Sequence, residues 1–347
     1  MTPIPSPEAA AAAFREALAA MAPPVLVLGH VDADGLGATA ILLRALERAG
    51  VRAEARLVGK WENAWTGELE GELRGRAPGG LVVADLGTAP GAPLPGCPTL
   101  VVDHHVPSGA PEGVTISGHG LEPQPTSSLL ALWCAKGVAE ADDLLWLAAL
   151  GLIGDMAEEA GFAEMAEARE RYGKTALRDA AALVNAPRRT AAGDAGPALA
   201  LLLRCGSPKE LLRGGHPETA LLLAAREEVR REVEAARRVP PRVRGDVALV
   251  PIESGAQVHP LIAQQWRGRL KDKVVICANR GYRPGWVHFA ARTASGRDLI
   301  RFLAERRPEG ADALYGNGHA AASGGALRLA AWNAFVEGIG FPEEKVF

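Results

Sequence analysis

The sequence has 347 residues, more than one hydrophobic core usually serves, so we expect two domains. Its composition, 48% hydrophobic and 23% charged, is that of a soluble globular protein. A net charge of −3 excludes a general electrostatic attraction to polyanions, so any nucleic acid must be bound by a local basic patch, a metal or contacts to a short substrate.

Membrane and secretion signals are not found in this sequence. No run reaches the ~18 uninterrupted apolar residues of a membrane span. The first 21 residues lack the basic start of a signal peptide, and their composition predicts an Ala-rich helix. The four cysteines are widely spaced and form no CxxC pair, which fits a reducing compartment. We therefore expect a cytoplasmic protein.

Strands and helices alternate along the first half. Short apolar runs predict buried strands, and apolar residues at helical spacing predict the helices between them. In chain order the pattern predicts a strand at 24–28, a helix at 38–49, strands at 81–84 and 99–102, and helices at 127–136 and 142–153. This alternation predicts an α/β fold with a doubly wound parallel sheet.

The second half changes character twice. The pattern is helical from 158 to 238 and is broken by Pro240-Pro241. Strands are then predicted at 247–252, 274–278 and 286–292, followed by a helix near 296–306 and a Gly-rich loop at 316–319. We therefore predict a first domain at 1–185, a helical connector at 186–240 and a second, smaller α/β domain at 241–347.

Acidic and imidazole side chains follow each predicted strand of the first domain. In chain order they are His30, Asp32 and Asp34, then Asp85, then Asp103, His104 and His105, and finally Asp155 after the helix at 142–153. Ligands of an open parallel sheet bind at the carboxyl ends of its strands. We therefore expect these side chains, remote in sequence, to converge in one crevice.

Crowded carboxylates repel one another, and divalent cations relieve that repulsion. Carboxylate oxygen mixed with imidazole nitrogen suits manganese, iron, cobalt or zinc, and a carboxylate-rich set favours manganese or magnesium. The number of groups is too large for one ion. It fits two ions that share a bridging carboxylate.

These segments resemble the motifs of the DHH phosphoesterase family. Val101-Val102-Asp103-His104-His105 resembles the signature that names the family. The other motifs are matched, in order, by His30-Val31-Asp32-Ala33-Asp34-Gly35, by Ala84-Asp85 and by Gly151-Leu152-Ile153-Gly154-Asp155. The resemblance implies that the first domain is a DHH catalytic domain of a metal-dependent hydrolase.

The resemblance also implies a role for each side chain. One manganese ion would be held by His30, Asp32 and Asp85, and a second by Asp34, Asp85, His104 and Asp155, with Asp85 bridging. Magnesium or cobalt would be possible substitutes. The two ions would activate a hydroxide for attack on phosphorus. Asp103 would orient this group of catalytic residues, and His105 would contact the scissile phosphate.

The C-terminal half resembles the DHH-associated substrate-binding domain. The matching segments are Phe289–Arg292 and Gly316–Gly325, with Asn317 in place of the usual middle glycine. A further segment, Asn185–Arg189, resembles the core of RecJ-type exonucleases. Together these matches imply substrate binding by Asn185, Arg188, Arg292, Gly316, Gly318 and His319. The remaining histidines, His119, His216, His259 and His288, lie outside the motifs, and we expect surface or core roles for them.

Three functions are compatible with these features. The first is a manganese-dependent exonuclease that hydrolyses single-stranded DNA or RNA, or short oligonucleotides, to mononucleotides. The second is a phosphatase of 3′-phosphoadenosine 5′-phosphate or a phosphodiesterase of cyclic or linear dinucleotides. The third is a non-catalytic binding subunit of a replication or repair assembly. The sequence leaves the polarity of cleavage and the oligomeric state open, with a homodimer among the options.

Overall fold

A computed structural model describes residues 3–4, 6–312 and 314–346, and only the backbone of Asn317. Met1, Thr2 and Pro5, which belong to the segment predicted as an N-terminal helix, lie outside the described residues. The chain divides into two compact units, one formed by Met1–Arg188 and Gly193–Ala224 and the other by Arg189–Ala192 and Ala225–Phe347. The three-part division at 1–185, 186–240 and 241–347 stays a prediction.

The first unit contains a five-stranded sheet in which all neighbouring strands are parallel. Its strands are β1 (Val25–His30), β2 (Ala53–Val58), β3 (Gly80–Ala84), β4 (Thr99–Asp103) and β5 (Val114–Ser117). Their order in the sheet is β2-β1-β3-β4-β5. The chain thus adds β2 on one side of β1 and the later strands on the other. The point between β1 and β3, where the direction reverses, is where open α/β sheets bind their ligands.

Helices of the first unit connect and cover these strands. They are α1 (Pro7–Ala19), α2 (Ala33–Arg48), α3 (Glu70–Arg76), α4 (Ser127–Ala135), α5 (Leu145–Gly154), α6 (Ala163–Tyr172), α7 (Lys174–Val184), α8 (Gly196–Arg204) and α9 (Pro208–Leu212). A long helix, α10 (Pro217–Arg237), contains the division between the units. Helices α2, α4 and α5 contact one another, and β1, β3 and β4 are buried on both faces, as their apolar runs predict. The predicted doubly wound parallel sheet is confirmed.

The second unit has its own six-stranded sheet and its own core. The strands are β6 (Arg242–Arg244), β7 (Val247–Ile252), β8 (Val274–Arg283), β9 (Trp286–Thr293), β10 (Tyr315–His319) and β11 (Ala322–Arg328), in the order β10-β11-β9-β8-β7-β6. Only the pair β7–β8 is parallel among the described strands of this sheet. The helices are α11 (His259–Arg269), α12 (Leu299–Ala304) and α13 (Leu329–Gly338).

The prediction of a Gly-rich loop at 316–319 is wrong, because this segment is a strand. Strands β10 and β11 form an antiparallel hairpin in which Gly318 pairs with Ser323. A Cβ atom at Gly318 would overlap with the carbonyl oxygen of Ala322, and one at Gly324 would overlap with that of Phe289. The glycines therefore allow paired backbones to approach closely, and they do not mark an unpaired loop.

None of the helices formed by the described residues combines the length and the apolar character that crossing a bilayer requires.

Candidate metal centre

The turn from strand β1 into helix α2 holds three of the predicted ligands. His30 is the last residue of β1, and Asp32 caps the helix by accepting a hydrogen bond from the Gly35 N–H at 3.0 Å. The His30 Nδ1 atom lies 3.1 Å from an oxygen of Asp32. Asp34 follows in the first helical turn. Carboxylates are favoured there, because the first N–H groups of a helix have no partner within it.

Asp34 is fully buried against the N-terminus of a second helix, α4. Its two carboxylate oxygens accept hydrogen bonds from the backbone N–H groups of Ser127, at 2.8 Å, and Ser128, at 2.9 Å. These bonds orient the carboxylate. Burial and the nearby charge of Asp155 raise the pKa of Asp34 above its ordinary value, although the charge of His104 and a hydrogen bond from Ser128 act in the opposite direction. A positive charge beside Asp34 would therefore stabilise its ionised form.

Asp85 follows strand β3 in a left-handed conformation, with a φ of 62° that is uncommon for residues other than glycine. One oxygen accepts a hydrogen bond from the Ser127 hydroxyl at 2.9 Å, and the other lies 3.3 Å from the His30 Nδ1 atom. Burial, together with the charges of Asp34 and Asp32, raises the pKa of Asp85 well above its usual range. The unusual backbone thus directs a carboxylate into a group of like charges.

His104 faces three carboxylates. Its Nε2 atom lies 3.2 Å from Asp155, 3.6 Å from Asp85 and 3.8 Å from Asp34. This nitrogen is buried and has no hydrogen-bond partner among the described residues. Burial lowers the pKa of His104, but the three carboxylates outweigh it and raise the pKa to about 9. The surroundings of Nε2 therefore suit a ligand atom of a cation.

His105 and Asp103 form a pair next to this group. An oxygen of Asp103 accepts a hydrogen bond from the His105 N–H at 2.7 Å and lies 3.2 Å from its Nδ1 atom. The other oxygen accepts a hydrogen bond from the Gly87 N–H at 2.8 Å. The hydrogen bond to Asp103 raises the pKa of His105, whose side chain is about half exposed. Asp103 therefore fixes the orientation of an accessible imidazole.

These side chains fit divalent cations. At this edge of the sheet, ligand atoms within 4.8 Å of one another occur in three groups: His30 with Asp32 and Asp85; Asp34 with His104 and Asp155; and Asp85 with His104 and His105. Asp85 belongs to two of the groups. Without a metal, burial lowers the pKa of His30, but Asp32 and Asp85 outweigh it and raise the pKa to about 10. Oxygen and imidazole ligands in this mixture suit transition-metal ions and magnesium.

Asn185 and Arg188, predicted to bind substrate, contact the start of helix α2. The Asn185 side-chain oxygen accepts a hydrogen bond from the Ala33 N–H at 3.0 Å. Arg188 donates to an oxygen of Asp32 at 3.1 Å. Burial raises the pKa of Asp32, but the charges of His30 and Arg188 outweigh it and lower the pKa. In the described structure both side chains therefore orient the ligand group.

Three further residues support the site, although the sequence analysis assigned them no role in it. Ser127 and Ser128 hold Asp34 and Asp85. At Gly151 a Cβ atom would overlap with Ser128 Oγ and Asp34 Oδ1. Serines ahead of an apolar run do signal a helix N-terminus. That signal does not reveal which carboxylate the helix faces.

Within the second unit, the predicted substrate-binding residues lie on the sheet. Arg292 is on β9 and donates to the backbone oxygens of Ala291, at 2.9 Å, and Ser323, at 3.1 Å. Burial and the nearby charge of Arg267 lower the pKa of Arg292. His319 ends β10 and is exposed, and Gly316 and Gly318, with φ of 83° and 131°, precede it.

The fold and the site together define a doubly wound α/β protein with a cluster of candidate metal ligands at its topological switch point. Solved structures that it resembles include two RecJ proteins and a DHH domain. RecJ from Thermus thermophilus in complex with Mn2+ is 21% identical, with a TM-score of 0.70, over 97% of this chain and 54% of that one. An exonuclease RecJ bound to manganese is 20% identical, with a TM-score of 0.66, over 99% and 98%.

A DHH domain from a member of a family of ribosomal proteins is also similar, with 16% identity and a TM-score of 0.63 over 96% of this chain and 89% of that one. The chain therefore has the RecJ-like DHH fold, and it spans about half the length of the T. thermophilus RecJ. The T. thermophilus protein is also solved with Mg2+. Neither the family models nor the curated proteins compared with this sequence give a match.

Proposed function

We propose that this chain is a manganese-dependent phosphodiesterase that hydrolyses short or single-stranded oligonucleotides from an end and releases mononucleotides. The observation that carries the proposal is the buried His104 Nε2 atom, which has three carboxylates within 4 Å and no hydrogen-bond partner in the described part of the chain. A buried imidazole nitrogen among carboxylates is the environment of a metal ligand.

The proposed ligands fall into two sets that share Asp85. One set is His30, Asp32 and Asp85, and the other is Asp34, Asp85, His104 and Asp155. When bound, two divalent ions would acidify water and offset the negative charge that develops on the phosphate. The similarity to RecJ structures with Mn2+ supports manganese, and Mg2+ is the nearest substitute.

The chain's own residues have three tasks in this proposal. Ser127, Ser128 and Arg188 hold the carboxylates Asp34, Asp85 and Asp32 in place through the bonds described above. His105, oriented by Asp103, would donate a hydrogen bond to an oxygen of the scissile phosphate. In the second unit, Arg292 and His319 would bind phosphate groups of the substrate. The oxygen of water would then form a bond to phosphorus as the bridging P–O bond breaks. The water would lose a proton to solvent, and the departing oxygen would take up a proton from solvent and leave as a hydroxyl group.

A nucleic-acid or nucleotide substrate and a cytoplasmic location are part of the same proposal. The near-neutral charge of the chain supports short substrates, because tight binding of long strands needs many phosphate contacts. The four cysteines are unpaired, which supports a reducing compartment.

The test is a digest of DNA and RNA oligomers of two to twenty nucleotides, labelled at the 5′ or the 3′ end, with Mn2+, Mg2+ or excess chelator. We expect mononucleotides to appear with Mn2+ and to be absent with chelator. Parallel reactions with 3′-phosphoadenosine 5′-phosphate and with cyclic dinucleotides test the small-nucleotide alternative. Full activity in chelator, with no metal found by elemental analysis, would refute the proposal.

A further inference from the structure

A cavity of about 560 Å3 lies beside the ligand group in the first unit. The loops that follow strands β2, β3 and β4 form its walls. Three of the residues that line it, His30, Asp85 and His105, also belong to the groups of candidate metal ligands. A phosphate at the ligand group and a group bound in this cavity can therefore belong to the same nucleotide.

The walls of the cavity are unsuited to a second phosphate. Among the described residues that line it there is no lysine or arginine. Its acidic side chains are Asp85 and Glu62, and the Glu62 carboxylate already accepts hydrogen bonds from Arg56, at 2.6 and 2.7 Å, and from the Gly59 N–H at 2.7 Å. Without a lysine or arginine to bind a second phosphate, the cavity favours an uncharged ligand group.

Apolar and aromatic surface makes up much of the remaining wall. It comes from Val58, Ala64, Trp65, Leu86 and Val106. The indole N–H of Trp65 donates to the Leu86 carbonyl oxygen at 3.0 Å, which fixes the ring. A preformed, largely apolar cavity with an aromatic wall suits a flat, uncharged ring system.

Two polar groups give the cavity a hydrogen-bonding edge. Thr88 is 4% exposed, and its hydroxyl has no hydrogen-bond partner within the described part of the chain. The Asn63 side-chain oxygen accepts from the Trp65 N–H at 2.8 Å, which leaves its NH2 group as a donor. A buried hydroxyl without a partner is uncommon in proteins, and a ligand with a polar edge would supply one.

The loop after β2 also contains a strained aromatic residue. Trp61 has a φ of 69°, and its side chain is 40% exposed. Left-handed backbone in a bulky residue persists only where the surrounding structure enforces it, and such residues cluster at ligand sites. The conformation of this loop is therefore consistent with a binding role.

We propose that this cavity binds the base of the terminal nucleotide whose phosphate lies at the ligand group. This inference rests on the proposed phosphodiesterase function and specifies its substrate. Phosphate esters that carry a nucleobase next to the scissile phosphate are good substrates, and base-free esters are poor ones. Trp65 supplies the aromatic wall, and Thr88 and Asn63 recognise the polar edge of the base.

The binding test uses adenosine 5′-monophosphate and ribose 5-phosphate, titrated in Mg2+ into the full chain and followed by calorimetry and tryptophan fluorescence. We expect the nucleotide to bind about ten-fold more tightly and to quench fluorescence, because stacking of a base on an aromatic ring is favourable. In Trp65→Phe the quenching is lost. Equal dissociation constants for the two probes would overturn the proposal, as would pyrophosphate binding as tightly as the nucleotide.

Thr88→Val keeps the shape of the side chain and removes the hydroxyl. We expect it to reduce the preference for the nucleotide over ribose 5-phosphate about three- to ten-fold, because the loss of a hydrogen bond to a buried group weakens binding. The matched control is Thr175→Val, an exposed threonine on α7, which should leave the preference unchanged. An unchanged preference in the folded Thr88→Val protein would contradict the role assigned to Thr88 in recognising the polar edge of the base.

An activity test separates this inference from the function on which it rests. A dinucleotide is compared with the same molecule lacking its terminal base. Cleavage of the intact dinucleotide alone supports both proposals. Equal cleavage of the two would leave the phosphodiesterase standing and overturn the base site. Binding of the nucleotide without cleavage of any substrate would support the base site and refute the proposed function.

Discussion

Asp85 is buried close to two other carboxylates, Asp32 and Asp34, and it belongs to two groups of candidate ligands. We predict that Asp85→Asn abolishes turnover and lowers metal occupancy in both sets. In the metal-free protein the same change should be neutral or stabilising, because it removes a charge that burial and like charges disfavour. Elemental analysis gives the metal content, and thermal unfolding with and without chelator gives the stability.

The control for this variant is Asp179→Asn, which changes an exposed carboxylate on α7. It should keep full metal content and activity. Two fully occupied metal sites in Asp85→Asn would show that this carboxylate does not bridge them.

His259 is a buried histidine at the start of α11 in the second unit. Burial lowers its pKa to about 3, and the charges of His288, Arg189 and Arg292 act in the same direction. Because the pKa in the folded state is below that of an unfolded histidine, about 6.5, the neutral form is favoured by folding. The stability that depends on neutral His259 is complete above pH 6.5 and is lost as the pH falls from 6.5 towards 3.

We therefore predict that His259→Gln flattens the pH dependence of the second unit's stability in this window. A single such group contributes a slope of at most about 1.4 kcal/mol per pH unit. Hydrogen exchange of the amides in β7, β8 and β9 between pH 4 and 7 measures the change. Equal slopes for the wild type and the variant would mean that His259 is protonated in the folded state.

Arg292 and His319 lie in the second unit, so their removal should leave the metal content unchanged. We predict that Arg292→Ala or His319→Ala lowers kcat/KM on a dinucleotide about ten- to a hundred-fold, since a charged contact to phosphate is worth ~1.5–3 kcal/mol. Arg301→Ala, which removes an exposed arginine paired with Glu305, is the matched control. Wild-type kcat/KM in both variants would exclude these residues from phosphate binding.

Helix α5 packs closely against α2 and α4 at Gly151, where a Cβ atom would overlap with Ser128 Oγ and Asp34 Oδ1. We predict that Gly151→Ala destabilises the protein by about 1–3 kcal/mol and weakens metal binding, because the new methyl group displaces Ser128 or Asp34. In α3, a methyl group added at Gly75 would meet no neighbouring atom within 4 Å, so Gly75→Ala should be neutral or stabilise by up to about 1 kcal/mol. Urea unfolding of both variants measures the difference, and equal effects would contradict the packing argument.

Elements in the middle of a sheet are easier to predict than those at its edges. Strands β1, β3 and β4 are buried on both faces, so each is a continuous apolar run and was predicted. Strand β2 lies at an edge, and its sequence Ala-Glu-Ala-Arg-Leu-Val places Glu54 and Arg56 among the apolar residues. The edge strand β5 has only four residues. Neither edge strand has the apolar run that signalled the others.

The same contrast applies to the site. The carboxylates and histidines were predicted because they follow strands, and the ends of parallel strands share one edge of the sheet. The contacts of Ser127 and Ser128 to Asp34 join residues 93 and 94 positions apart. They depend on how α4 packs against α2, which is set by the whole core. Their role could not be read from local sequence.

At the scale of the whole molecule, every candidate ligand of the metal centre belongs to the first unit. We predict that Mn2+ protects backbone amides of β1, β3 and β4 from hydrogen exchange more than those of β7, β8 and β9. A ligand that binds only the folded state stabilises it by about 2.7 kcal/mol when the ligand concentration is a hundred times the dissociation constant. That stabilisation acts on the unit that binds the ligand. Calcium at the same concentration serves as the comparison ion. Protection confined to the second unit would contradict the assignment of the metal centre. It would mean that manganese does not relieve the repulsion between the carboxylates at the ends of β1 and β3.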